Sequence, residues 1–388
     1  MVKYTCKKCG KEFNQKSHYE SHNRRKKSCE NNVNKIKVFI NKVVEEEINN
    51  KIIIENININ IESIEHNKNL VMDKYKLKVA SMFAGCGGLD FAFHKQLDKY
   101  NIVYVNDFDK DACNTYEKYY NFKPTCEDIT KLENIPDCDI LTGGFPCQGF
   151  SVANLYRKET DNRNKLYLEL VRLLKLKNPK FFIFENVKGI LSLGGYENNE
   201  DKKNNKGKIF KMIISDLEKC GYIVYTKLFK LKWYDIPQNR ERVIFIGIRN
   251  DISEKIQFKW PVEKQEITKT LKDAIGDLPI EYNEELQHIG TKHKVKINGY
   301  MGNRKLNWDE ISPTITGRGG GNGGPVINIH PSGKRRMTVR EYARIQTFPD
   351  DFNFQGSISS KYRQIGNAVP PKFSFILSNL IYDLNNQL

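Results

Sequence analysis

The chain has 388 residues, 39% of them hydrophobic and 28% charged, with 63 Lys and Arg against 47 Asp and Glu for a formal net charge of +16. That length supports a real core; runs such as "KFFIF" and "RVIFIGI" are too short to span a bilayer, and "MVKYTCKKCGKEF" lacks the apolar core of a secretory signal. Membrane-embedded and disulfide-rich secreted classes are therefore disfavoured. The nine cysteines fit a reducing compartment and read better as metal-binding or catalytic, and the positive excess points to a polyanion partner, nucleic acid first.

In chain order, residues 1–30 come first, a short basic segment holding Cys6, Cys9, His18, His22 and Cys29. Two residues separate Cys6 from Cys9, twelve separate Cys9 from His22, and six separate His22 from Cys29. With Phe13 and Tyr19 at the spacing of two core apolar residues, the segment resembles a C2H2 zinc finger. It departs in the fourth ligand, a cysteine instead of a second histidine. Zinc accepts either side chain tetrahedrally, so Cys6, Cys9, His22 and Cys29 are the expected ligands of a structural zinc, while His18 competes but breaks the spacing. The module's basic residues suit DNA, and a protein-binding finger is the alternative. Residues 31–73 are almost wholly Asn, Ile, Lys and Glu and read as a biased linker that could hold a helix or a strand.

From about residue 76 short apolar runs alternate with helical stretches. "LKVASMFAG", "NIVYVND", "CDILTGG", "KFFIFENV" and "RVIFIGI" predict strands. "LDFAFHKQL", "KDACNTYEKYY", "KLYLELVRLLK" and "IFKMIISDLEK" predict the helices between them, and "VPPKFSFILSNLIYDL" a final helix. Strand–helix alternation predicts an α/β, doubly wound, mostly parallel sheet with helices on both faces. Ligands bind such sheets beyond the carboxyl ends of the strands.

The strand ends carry the notable residues. After the first, "FAGCGGLDFAF" removes side chains at Gly85, Gly87 and Gly88, which lets a ligand approach the backbone, although tight packing explains such a turn as well. Asp107 and Phe108 end the second strand, where a carboxylate can hold ribose hydroxyls and a ring can stack on a base; Asp107 could equally cap the next helix. Asp128 in "EDIT" stands in a similar place. Together these predict a nucleoside-bearing cofactor, and the G-C-G-G order disfavours NAD. In "GGFPCQGFS", Cys147 follows Pro146 at the end of a predicted central strand. A lone cysteine is more often a buried small hydrophobe, yet a loop facing the cofactor crevice suits a thiolate nucleophile. Glu185 ends the next strand as an acid after four apolar residues, a position that needs a partner or a role. Arg240 and Arg242, two apart on entering the last strand, are expected on one face.

These stretches, in this order, resemble the DNA (cytosine-5) methyltransferase family: "FAGCGGLD", "NDFD", "EDIT", "GGFPCQGFS", "ENV", "QNRER", "SPTITGRGGG", "VREYARIQTFP" and "QIGNAVPP". The resemblance runs from residue 77 to about 380. It implies the S-adenosylmethionine-dependent methyltransferase fold, with a small target-recognition domain beside the amino-terminal finger. It also implies that Cys147 attacks C6 of a flipped cytosine, that Glu185 binds the base at N3 and the exocyclic amine, and that Arg242, with Arg240 nearby, steadies both. The implied cofactor contacts are Phe83, Ala84, Gly85, Gly88, Leu89, Asp107, Phe108, Asp128, Ile129, Gly144, Pro146, Leu166, Asn367 and Ala368. One departure stands out: the ribose acid and following ring are Asp107 and Phe108, where the family commonly has glutamate and tryptophan.

The expected organisation is a finger module at 1–30, a linker at 31–73, a catalytic and cofactor-binding domain at 74–250, a target-recognition region at 251–335 and a return to the catalytic domain at 336–388. The resemblance implies an intracellular monomer acting on double-stranded DNA, cytoplasmic, or nuclear for a eukaryotic host or virus, with restriction-modification as its setting. A tRNA-methylating branch shares the framework but typically reads "PPCQPFT". A silent DNA-binding relative would be expected to lack Cys147 or Glu185.

Overall fold

Phe181 to Phe184 are all buried, as expected of a strand covered on both faces in a parallel sheet. The computed structural model describes residues 3–7, 11–24, 41–42, 76–146, 166–291, 295–298, 303–317 and 326–388. The chain divides into two units, Met1–Lys74 and Tyr75–Leu388.

In the first unit, β1 (Tyr4–Thr5) and β2 (Glu12–Phe13) pair antiparallel, and α1 (Lys16–Asn23) follows. Tyr4 stacks on Tyr19 at 5.9 Å between ring centroids, and Phe13 lies 4.9 Å from the His22 ring. Cys6 is buried. Cys9, Cys29 and, apart from residues 41–42, the linker 31–73 lie outside the described residues.

The second unit is built on β3 (Leu77–Met82), β4 (Tyr100–Asp107), β5 (Thr125–Cys126), β6 (Ile140–Gly143), β7 (Phe181–Val187), β8 (Tyr222–Lys230) and β10 (Glu241–Arg249). A separate short strand, β9 (Gln238–Asn239), precedes β10. The seven-stranded sheet has the order β5-β4-β3-β6-β7-β10-β8. The first five strands are parallel, and β10 runs antiparallel to both β7 and β8. The chain builds outward from β3 in one direction and then, from β6, in the other. Their carboxyl ends therefore diverge at a switch point, where a crevice opens.

Helices cover both faces. Phe93 of α2 (Phe91–Lys95) packs with Phe373 and Leu377 on one face. On the other, Leu170 and Leu174 of α4 (Leu166–Lys177) meet Phe210 and Ile213 of α5 (Lys208–Glu218). Between them in sequence, α3 (Lys110–Tyr120) starts at Asp109, whose carboxylate accepts from the Asp111 and Ala112 amides, and stops at Asn121 in the left-handed region. The last helices are α7 (Val339–Ile345), with a Thr338/Glu341 capping box, α8 (Ile358–Asn367), and α9 (Pro371–Asn385), which starts on Pro371.

Two features differ from the sequence expectation. The apolar pattern does not predict β8, because Thr226 and Lys227 interrupt it; β8 is a half-buried edge strand. The described parts of 251–335 include α6 (Leu271–Ile275) and β11 (Ser312–Pro313). Leu271, Ile275, Leu306, Ile315 and Ile327 share one core cluster with Val339, Tyr342 and Phe352. The described part of that region is thus packed into the body of the second unit.

Candidate active site

A cavity of about 1120 Å³ opens at the switch point, lined from the ends of β3, β4, β6 and β7 and from residues 314–317, 363–364 and 366–369. Its floor is the glycine turn. Gly87 holds φ +86, and a Cβ there would lie 2.5 Å from the Tyr120 ring. A Cβ on Gly88 would lie 2.2 Å from the Val369 carbonyl. Both are sites where any side chain would push the turn off its support. Beneath it, buried Asp90 accepts from Ser81 Oγ at 2.8 Å and from the Tyr116 hydroxyl at 3.0 Å. Burial pushes the Asp90 carboxyl up to about 6.

Asp107 sits across the turn. Its carboxylate accepts the Gly85 amide at 2.7 Å and the Asp109 amide at 2.8 Å. Burial raises its pKa, and those amides oppose the shift. Phe108, next in sequence, is 74% exposed and lines the cavity. An exposed ring beside an anchored carboxylate suits a flat base carried on a ribose.

The opposite wall holds Glu185 and Arg242, both largely buried, with Arg242 Nε 2.5 Å from Glu185 Oε1. The antiparallel pairing of β7 with β10 makes this contact, since Arg242 lies opposite Val187 and Ile244 opposite Glu185. Burial lowers the Arg242 pKa, and Glu185 counters the effect. Glu185 Oε1 is thus taken up by the Arg242 guanidinium. Glu185 Oε2 points towards Gly144, where a Cβ would lie 3.3 Å from it. Asn186 donates to the Phe145 carbonyl at 3.1 Å. The segment leading to Cys147 is thereby held along the Glu185 wall. Cys147 itself lies outside the described residues.

Of the expected cofactor residues, Phe83, Ala84, Gly85, Gly88, Leu89, Asp107, Phe108, Gly144, Pro146, Leu166, Asn367 and Ala368 line the cavity. Asp128 and Ile129 do not line it. Asp128 caps a short 3-10 turn, accepting the Thr130 amide at 3.0 Å, and Ile129 is buried in the core. The two arginines part company, contrary to the expectation of one shared face. Arg240 precedes β10 and turns inward, donating to Ile315 O at 2.9 Å, Gly366 O at 3.0 Å and Ala368 O at 2.8 Å. The chain kinks between β9 and β10, so the two-residue alternation of a single strand does not apply there.

Sequence reasoning misses Thr314, Thr316 and Gly317 on the cavity wall, and Arg363, which pairs with Asp109 at 3.0 Å. Their only signal is membership of the run "SPTIT" and the approach to "QIGNAVPP", where no single residue type marks a role. At the amino end, no group of three or more His, Cys, Asp or Glu side chains forms a metal cluster among the described residues. No described helix is long and apolar enough to cross a membrane.

The profile described as C-5 cytosine-specific DNA methylase matches residues 77–382. The chain is 35% identical over 337 residues to the type II methyltransferase M.NgoFVII of Neisseria gonorrhoeae, covering 78% of this chain and 86% of that protein. It is 36% identical over 354 residues to M.BsuRI of Bacillus subtilis, covering 76% and 77% respectively. The fold is similar to that of Entamoeba histolytica methyltransferase EhMeth, with a TM-score of 0.60 at 18% identity, covering 79% of this chain and 98% of that one. It is also similar to S. pombe Dnmt2 methyltransferase, with a TM-score of 0.56 at 21% identity over 80% of this chain and all of that one.

Proposed function

This chain belongs to the C-5 cytosine-specific DNA methylase family and is a DNA (cytosine-5) methyltransferase, and from that premise we propose how its residues divide the work. The observation that carries the reading is the facing of two walls across one cavity. Asp107 and the glycine turn form one, and the Glu185–Arg242 ion pair forms the other.

Cys147 acts as the nucleophile at C6 of the cytosine. C5 of cytosine is a poor nucleophile, and addition of a thiolate at C6 makes it enamine-like; loss of the C5 proton to a base then breaks the S–C6 bond and releases the thiolate. Glu185 holds N3 and the exocyclic amine, and its carboxyl, once it has taken up a proton from solvent, shares that proton with N3 and offsets the charge created by attack. Arg242 keeps that carboxyl in place. Arg240 is a positioning residue, since its bonds fix the carbonyls of residues 315, 366 and 368 at the rim. S-adenosylmethionine, when bound, supplies an electrophilic methyl group on its sulfonium. Asp107 would take its ribose hydroxyls, Phe108 its adenine face, and Asn367 and Ala368 would close the pocket. Asp128 and Ile129 would flank the adenine from outside the cavity wall. C6 is not reachable inside a duplex, so the base must leave the stack.

Residues 251–335 serve target recognition, and 336–388 return to the catalytic body. The finger of residues 1–30 holds a structural zinc through Cys6, Cys9, His22 and Cys29. Its support is the ββα order, the burial of Cys6 and the packing of His22 on Phe13. A lone finger spans only ~3 base pairs, so it adds affinity to a specificity set elsewhere. The enzyme works as a monomer inside the cell on double-stranded DNA, in a restriction-modification setting.

Cys147→Ser tests the reading. The variant is expected to bind S-adenosylmethionine with unchanged affinity, to methylate no cytosine, and to form no denaturation-resistant complex with 5-fluorocytosine DNA. Methylation above a vector control by this variant would overturn the assignment.

A further inference from the structure

Two cysteines beside the proposed cofactor seat have no part in methyl transfer. Cys113 lies in the first turn of α3, buried, with its Sγ 3.5 Å from the Asp107 carbonyl. Cys126 ends β5 as the cross-strand partner of Asp107, exposed, with its Sγ 3.9 Å from the Phe108 carbonyl. Two consecutive carbonyls thus each face a thiol, one from a helix and one from a strand that pack against each other. The carbonyls belong to the residues proposed to hold the ribose and the adenine.

We propose that Cys113 and Cys126 form a reversible disulfide that weakens S-adenosylmethionine binding, which makes the cofactor seat sensitive to low-molecular-weight disulfides. The exposed Cys126 thiolate attacks one sulfur of RSSR, forming a mixed disulfide and expelling RS⁻, which takes up a proton. Cys113, once deprotonated, attacks the Cys126 sulfur and expels the second RS⁻. Two protein thiols and one RSSR become one internal disulfide and two RSH, with both electrons passing to the reagent. Burial pushes the Cys113 thiol well up, so the second step is the slow one. The new bond removes both S–H groups from the 107–108 carbonyls and draws the end of β5 towards α3. Moving the residues proposed to hold the ribose and the adenine is expected to weaken cofactor binding about tenfold.

The experiment uses full-length Cys147→Ser protein, so that the proposed nucleophile cannot react. S-adenosylmethionine affinity is measured by calorimetry before oxidised glutathione, after it, and after dithiothreitol, and unreduced peptides are mapped by mass spectrometry. A linked Cys113–Cys126 peptide, about tenfold weaker binding and full recovery on reduction are expected. The Cys126→Ser, Cys147→Ser double variant should be insensitive. No linked peptide, a linked peptide with unchanged affinity, or sensitivity retained without Cys126 would overturn the proposal. The inference rests on the proposed cofactor seat, which has its own control. Reduced Asp107→Ala protein that binds as tightly as wild type would show the seat misplaced, whatever the thiols do.

Discussion

The amino-terminal ββα unit and the sheet unit are held together by different physics. In the sheet unit three apolar clusters bury both faces of a seven-stranded sheet and the helices around it. In the ββα unit the only buried residue among those described is Cys6, and α1 buries none of its side chains. A segment with so little apolar burial cannot offset the entropy of ordering its chain. The zinc proposed for residues 1–30 would supply what the described burial does not.

The largest effect expected from this difference follows removal of the proposed zinc. Chelation, or Cys6→Ala, should abolish the structure of residues 1–30 completely, while the melting of the 75–388 unit and its target sequence stay unchanged. Finger amide signals that persist in excess chelator, or less than one zinc per purified chain, would break the comparison.

Gly247→Ala should do the reverse. Gly247 pairs with Phe182 across β7 and β10, and an added Cβ would sit 1.9 Å from that ring. Overpacking a sheet core on that scale should cost at least about 3 kcal/mol, seen as a lower denaturant midpoint for the sheet unit alone. Unchanged unfolding would show that the sheet is looser than its packing implies.

Glu185→Gln should separate chemistry from architecture within the sheet unit. Turnover is expected to fall ~100-fold, the scale of a positioned acid, with the midpoint of unfolding little changed. Near wild-type turnover in single-turnover assays would remove Glu185 from the mechanism.

The smallest expected effect concerns Asp90. Its folded pKa of about 6 lies above the ordinary carboxyl value of 3.8, so the folded state favours the protonated form. That contribution is fully present below 3.8 and is lost as pH rises through about 6. Relative to Asp90→Asn, the wild type should therefore lose about 2 kcal/mol between these two values, because each tenfold difference in proton affinity is worth about 1.4 kcal/mol. A flat difference between the two unfolding curves would show that Asp90 is ionised at no cost.

The cavity end of the fold is legible in the sequence because its signals are local. Each strand ends in the residues that mark it, such as Asp107 and Glu185, and a parallel sheet gathers those ends at one edge whatever the loops between them do. The run "KDACNTYEKYY" coincides with α3 for the same reason, since its helical spacing is read within eleven residues, although the acid that caps it is Asp109 and not Asp107. Asp128 shows the limit, because the same strand-end position serves equally as a cap, and in the structure it caps.

Residue order alone is thus enough for the α/β alternation, the succession of motifs, the acid and ring at the end of β4 and the acid at the end of β7. It is not enough for the antiparallel run of β10 beside β7, which brings Arg242 to Glu185 and exists only once the strands have paired. Nor does it foretell that Arg240 turns away to carbonyls 75, 126 and 128 residues distant. Periodicity along a chain reports which face a residue takes within its own element. It carries no information about which distant carbonyl will need a donor once the elements pack, and burial makes that demand decisive.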